Sequence, residues 1–138
     1  MSRDCVFCAI ARGADTAEIV GENQRALAFM DLNPATDGHV LVIPRAHADD
    51  IWTLDETDGR GIWSLAQQIA GRVRSALHPD GLTLFQANGT AGWQHVFHFH
   101  LHLVPRWVGD GLTQPWRSTD ARRARIPEIA ARLRGSDR

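Results

Sequence analysis

The stretch His98-Phe99-His100-Leu101-His102-Leu103-Val104 places three histidines at every second position, with apolar residues between and after them. A strand sends alternate side chains to opposite faces. The spacing therefore predicts an extended segment over 96–104, with the imidazoles on one side and Phe97, Phe99, Leu101 and Leu103 on the other. Such a strand needs neighbours, and the flanking sequence supplies them. Residues 82–86 read as a strand, and the loop 87–92 carries the turn pair Asn88-Gly89. Further upstream, 39–43 is rich in β-branched residues and runs from the turn signal Thr36-Asp37-Gly38 to Pro44. Residues 25–32 and 19–20 are two more extended candidates.

Between Asp55 and His78 the pattern changes period. Ile62, Leu65, Ala66, Ile69, Ala70, Val73 and Leu77 recur as on one face of an amphipathic helix, and Pro79-Asp80-Gly81 closes it. No helical stretch separates the two strong upstream strands or the last two. The expectation is an α+β domain: an antiparallel sheet of about five strands, one long amphipathic helix and short flanking helices. One domain is expected over 1–138, with a tail and short helix from about 117. In that tail Pro127 is placed to start a helix and Gly135 to end it. Its arginines, Arg122, Arg123, Arg125, Arg132 and Arg134, read as a solvated face, with anion binding as the sharper alternative.

The chain has 138 residues, 43% hydrophobic and 22% charged, with a formal net charge of -1. That composition gives no broad pull toward nucleic acid or an anionic membrane. No apolar run approaches the ~20 residues that span a bilayer, and the N-terminus lacks a secretory core, so the expected location is the cytoplasm. Cys5 and Cys8 are the only cysteines. Two thiols are too few for a disulfide framework, and Cys-x-x-Cys in a reducing compartment points to metal or redox chemistry.

Closely spaced imidazoles serve two chemistries. They bind a metal through neutral nitrogens, or one attacks phosphorus while its neighbours hold phosphate oxygens. Here the chain resembles the histidine triad (HIT) family of nucleotide hydrolases and transferases, whose signature His-φ-His-φ-His-φ-φ, with φ apolar, is met by residues 98–104. Cys5-Val6-Phe7-Cys8, Ala28-Phe29-Met30-Asp31-Leu32-Asn33-Pro34, Gly38-His39-Val40-Leu41-Val42-Ile43-Pro44-Arg45-Ala46-His47 and Val104-Pro105-Arg106-Trp107 look like its bacterial members, in the same order.

The resemblance implies that His100 attacks the α-phosphorus of a purine nucleotide conjugate and becomes a nucleotidyl-histidine, which water then hydrolyses. It implies that His102 and Gln94 hold phosphate oxygens or protonate the leaving group. It assigns Asp31 to the ribose hydroxyls, Phe29 and Leu32 to the base pocket, and Asn88 to the phosphates or ribose. Similarity to zinc-bearing members, and to the related galactose-1-phosphate uridylyltransferases, adds His47 and His98 to Cys5 and Cys8 as ligands of a structural zinc. It also implies a homodimer joined through the long helix and the sheet edge.

The chain departs from the family at Trp93-Gln94-His95, where many relatives carry a small residue before the glutamine and Ser or Thr after it. Trp93 is expected to pack under its loop, with narrowing the pocket or covering a dimer seam as alternatives. His95 falls on the opposite strand parity from His100. Two rival readings remain. One is a metallohydrolase ligated by His98, His100 and His102, which strand spacing opposes because positions i and i+4 lie ~13 Å apart. The other is a nucleotide-binding sensor without turnover.

Overall fold

The computed structural model describes residues 5–136. Among these, five strands form one antiparallel sheet in the order β1-β2-β3-β5-β4. They are β1 (Ile19–Glu22), β2 (Ala26–Met30), β3 (Val40–Pro44), β4 (Gly81–Phe85) and β5 (Leu101–Arg106). The helices are α1 (Val6–Ala11), α2 (Glu56–Leu77), α3 (Asp120–Ala124) and α4 (Ile126–Arg134). The α+β architecture is as the sequence pattern predicts.

Helix α2 starts where the Asp55 carboxylate accepts the backbone N–H groups of Thr57 and Asp58. It ends at His78, in the left-handed conformation at φ 51°, just before Pro79. Its Ile62, Leu65, Ala66, Ile69 and Val73 pack on Ala26, Ala28, Val40, Val42 and Leu103 of the sheet and on Phe99 just before β5. The helix comes so close that a Cβ on Gly21 would lie 2.9 Å from Ile69 Cδ1. On the opposite face Phe7 and Ile10 of α1 cover Leu27, Phe29, Leu41 and Ile43. Strands β2 and β3 are thus buried on both faces, which explains their continuous apolar runs.

One expectation fails. The histidine strand does not run over 96–104: β5 begins at Leu101, and residues 96–98 form a bend. Phe99 and Leu103 reach the core, but Phe97 is exposed. Ahead of the bend lie a short 3-10 turn (Thr90–Gly92) and Trp93 at φ 76°, so the alternation that predicts facing has no extended backbone there. The tail forms two short helices, and the apolar Ile126, Ile129 and Leu133 of α4 stay exposed. No described helix is long and apolar enough to cross a membrane.

Candidate functional site

Two side-chain clusters meet beside the histidine segment. In the first, the donor atoms of Cys5, Cys8, His47 and His98 all lie within 4.8 Å of one another. His98 donates from Nε2 to the Pro44 carbonyl at 2.9 Å, which turns its Nδ1 lone pair toward the Cys5 and Cys8 sulfurs at 3.4 and 3.5 Å. His47 donates from Nε2 to Asp49 at 2.7 Å, and its Nδ1 faces Cys8 Sγ at 3.2 Å. Each imidazole therefore has a partner orienting its free nitrogen, as metal-ligating histidines do. A tetrahedral zinc with ~2.3 Å bonds to sulfur and ~2.0–2.1 Å bonds to nitrogen needs S···N edges of about 3.5 Å, so the donor set fits that ion. Burial, with Cys5 beside it, pushes the Cys8 thiol up to about 11. A cation in the cluster would reverse that preference, since zinc binds the thiolate.

The second cluster lies at one end of the sheet. His100 is buried and donates from Nδ1 to the His98 carbonyl at 2.8 Å, which leaves the Nε2 lone pair free. Phe7 meets its ring edge-on at 5.1 Å. His102 lies next along the chain, its ring centroid 4.9 Å from that of His100, and stacks on Phe85 at 4.0 Å. Burial lowers the pKa of both His100 and His102, the latter to about 4, and lowers that of His39. At neutral pH each of these rings carries one proton.

Where His39 and His102 hold those protons follows from a chain of hydrogen bonds. The Ala35 N–H donates to His39 Nδ1 at 3.0 Å, so the proton of His39 is on Nε2. That nitrogen donates to His102 Nδ1 at 3.0 Å, so the proton of His102 is on its own Nε2. Adjacent imidazoles thus present opposite character: a lone pair on His100 and an N–H on His102. Sequence reading gives His39 no role of its own, only a place at the start of a strand and within a family-like block. Parity held the signal, because His39 shares the face of Leu41, the β3 residue paired with His102.

The remaining predicted residues are placed unevenly. Asp31 comes to the cluster, with Oδ2 3.4 Å from His39 Nε2, while its Oδ1 accepts the Asn33 N–H in a local turn. Phe29 is buried against Phe7 and belongs to the core, whereas Leu32 is 86% exposed. Gln94 is buried, and its amide bonds the backbone of Gly89, Asp49 and Val96. Asn88 accepts the Ile51 N–H and pairs with Gln86, tying its loop to the segment before α2. Trp93 does not pack under its loop; it is 61% exposed and faces Trp116 at 5.9 Å. His98 and His102 belong to separate clusters, so the described residues do not gather the three histidines into one metal site.

Comparison with known proteins gives a consistent result. A family model described as "HIT domain" matches residues 12–108. An uncharacterized HIT-like protein, MG132, of Mycoplasma genitalium is 41% identical over 119 residues, 86% of this chain and 84% of that protein. The adenylylsulfatase HINT3 of Arabidopsis thaliana is 34% identical over 126 residues, 89% of this chain and 61% of that one. The crystal structure of a HIT family protein from Bacillus anthracis superposes with a TM-score of 0.91 at 34% identity, covering 100% of both chains. A zinc-bound histidine triad family protein from Mycobacterium smegmatis gives 0.75 at 37% identity, covering 94% of this chain and 97% of that one.

Proposed function

The chain belongs to the histidine triad (HIT) family, and from that membership we propose that it is a nucleotide hydrolase acting at the α-phosphate of a purine nucleotide conjugate through a nucleotidyl adduct on His100. The observation that carries this reading is the opposed pair of ring nitrogens, a lone pair on His100 Nε2 beside an N–H on His102 Nε2. In the first step the His100 Nε2 lone pair bonds to phosphorus while the P–N or P–O bond to the leaving group breaks. The electron pair departs on the leaving nitrogen or oxygen, which takes a proton from water. In the second step water adds to phosphorus, the N–P pair returns to His100, and the proton released balances the one taken up.

His102 keeps its proton and holds a phosphate oxygen as charge builds there, because a neutral imidazole that gave up its only proton would become an anion. His39 is a positioning residue that holds His102 in this tautomer. Asp31 stands one residue past β2, on the His39 side, within reach of ribose hydroxyls, and Leu32 supplies an exposed apolar face for a base. Phe29 backs that pocket from the core. Gln94 and Asn88 position the phosphate loop through their backbone bonds. A structural zinc held by Cys5, Cys8, His47 and His98 would fix α1 against the sheet beside the nucleophile. The exposed Ile51 and Trp52 before α2, with Trp63 about two turns into it, favour a homodimer that covers this apolar surface.

The test is release of AMP from an adenosine phosphoramidate. Acid-free quenching should trap one nucleotidyl group on His100. His100→Ala should lose about a thousandfold or more in turnover with fold and zinc content retained. Equal rates in parent and variant, or tight nucleotide binding with no adduct, would reject the mechanism.

A further inference from the structure

Beyond Phe85, on the sheet face that carries His102, lies a groove of about 650 Å³. Its floor is the outward side of β4 and β5, with Thr83, Phe85 and Val104, and its walls are Trp93 and the strap 112–116 ending in Trp116. That volume is within the range of small-molecule sites. The strap is held in place. Arg106 reaches Asp110 through Nε and Nη2 at 2.7 and 3.1 Å, and Asp110 in turn accepts the N–H groups of Trp107 and Leu112.

Two features set this groove apart from a passive crease. Trp93 holds a left-handed backbone conformation, φ 76° and ψ 22°, which is strained for a bulky residue. Its ring is not buried in return; it stands out toward Trp116. The groove also continues the catalytic cluster. Across the end of the sheet the order is Asp31 after β2, His39 before β3, His102 on β5 and Phe85 on β4, and the Phe85 ring is stacked on His102. With the nucleoside on the Asp31 side, the group leaving phosphorus departs toward Phe85 and the tryptophans. Arg106, the charged side chain among the lining residues, is already paired with Asp110, so the groove suits an uncharged ring better than a phosphate chain.

We propose that the groove between Trp93 and Trp116 is the leaving-group subsite and selects nucleotide conjugates whose leaving group is a planar aromatic amine. This rests on the hydrolase reading above. The test compares three adenosine 5′-conjugates on the full chain: a phosphoramidate of an arylalkylamine, that of a linear alkylamine of equal reach, and a dinucleoside polyphosphate whose second base supplies the ring. The parent should prefer the aryl over the alkyl conjugate by at least about tenfold in kcat/KM, and over the polyphosphate as well. Trp93→Gly, which suits the positive φ and so should fold, and Trp116→Ala should each bring the aryl-to-alkyl ratio near one. A purely structural tryptophan would leave that ratio unmoved, and an unmoved ratio overturns the proposal. Preference for the polyphosphate overturns the amine assignment. If no conjugate is hydrolysed, the hydrolase reading fails, and dissociation constants of the intact aryl and alkyl conjugates then decide the groove by the same ratio. If neither variant alters selectivity but both shift the oligomeric mass, the groove is an interface between copies.

Discussion

The Nδ1 of His39 accepts one backbone N–H, from Ala35, and that bond sets the proton positions of two rings. His39→Phe should leave His102 free to carry its proton on Nδ1, lowering turnover about 10- to 100-fold, the range for partners that orient functional imidazoles. The ¹⁵N shifts of the His102 ring report the tautomer directly. They should change from Nε2–H to a mixture in His39→Phe, and revert in part in His39→Gln, whose amide can donate. Unchanged shifts would assign His39 to packing alone. The sequence showed the chemistry-bearing types but not this pairing, because His39 and His102 are 63 residues apart and meet only through β3–β5 register. Cys5 and Cys8 were legible from their spacing as metal or redox candidates, His47 and His98 only by resemblance, and the structure brings the four donor atoms together. Gln94 shows the reverse case. Strand parity set it facing His100, but its amide is taken up by the backbone of a bend.

At the scale of elements, periodicity predicted best where it was longest. Helix α2 matches its forecast almost to the residue because seven apolar positions repeat over its turns and Asp55 caps it. Helix α1 left no comparable trace. Its six residues are too few for an amphipathic pattern, and it is held by Cys5 capping Cys8 N–H and by Phe7 and Ile10 against β2 and β3. The two helices should therefore respond differently to mutation. Leu65 is fully buried between α2 and the sheet. Leu65→Ala should cost about 2–5 kcal/mol in chemical denaturation, through lost burial and an unfilled cavity. Cys8→Ser should lower zinc content and the melting temperature together, and amide exchange should rise first in α1 while α2 keeps its protection. Equal loosening of both helices would contradict the proposal that zinc fastens α1 alone.

Taken whole, the molecule keeps His39, His100 and His102 neutral at one end of the sheet, and this couples folding to pH. Burial holds His102 at about 4 and His39 below the usual histidine value, whereas both rings titrate near ~6.5 in an unfolded chain. Between those values the unfolded chain binds more protons than the native one. These rings' contribution to stability is therefore full above about 6.5, falls as the pH drops below it, and levels off only near the native value. Asp31, 3.4 Å from His39, opposes the trend by favouring a charged ring, and the other faces of the pair are Phe85 and His100, which do not. Denaturant midpoints measured from pH 8 to 5 should decline below about pH 6.5, and His102→Asn should flatten the slope because one proton-linked group is gone. The His102 ring should titrate by NMR near 4. A midpoint near 6.5 for that ring would mean that it is solvated in the native state, and the fixed N–H on which phosphate binding depends would be lost with it.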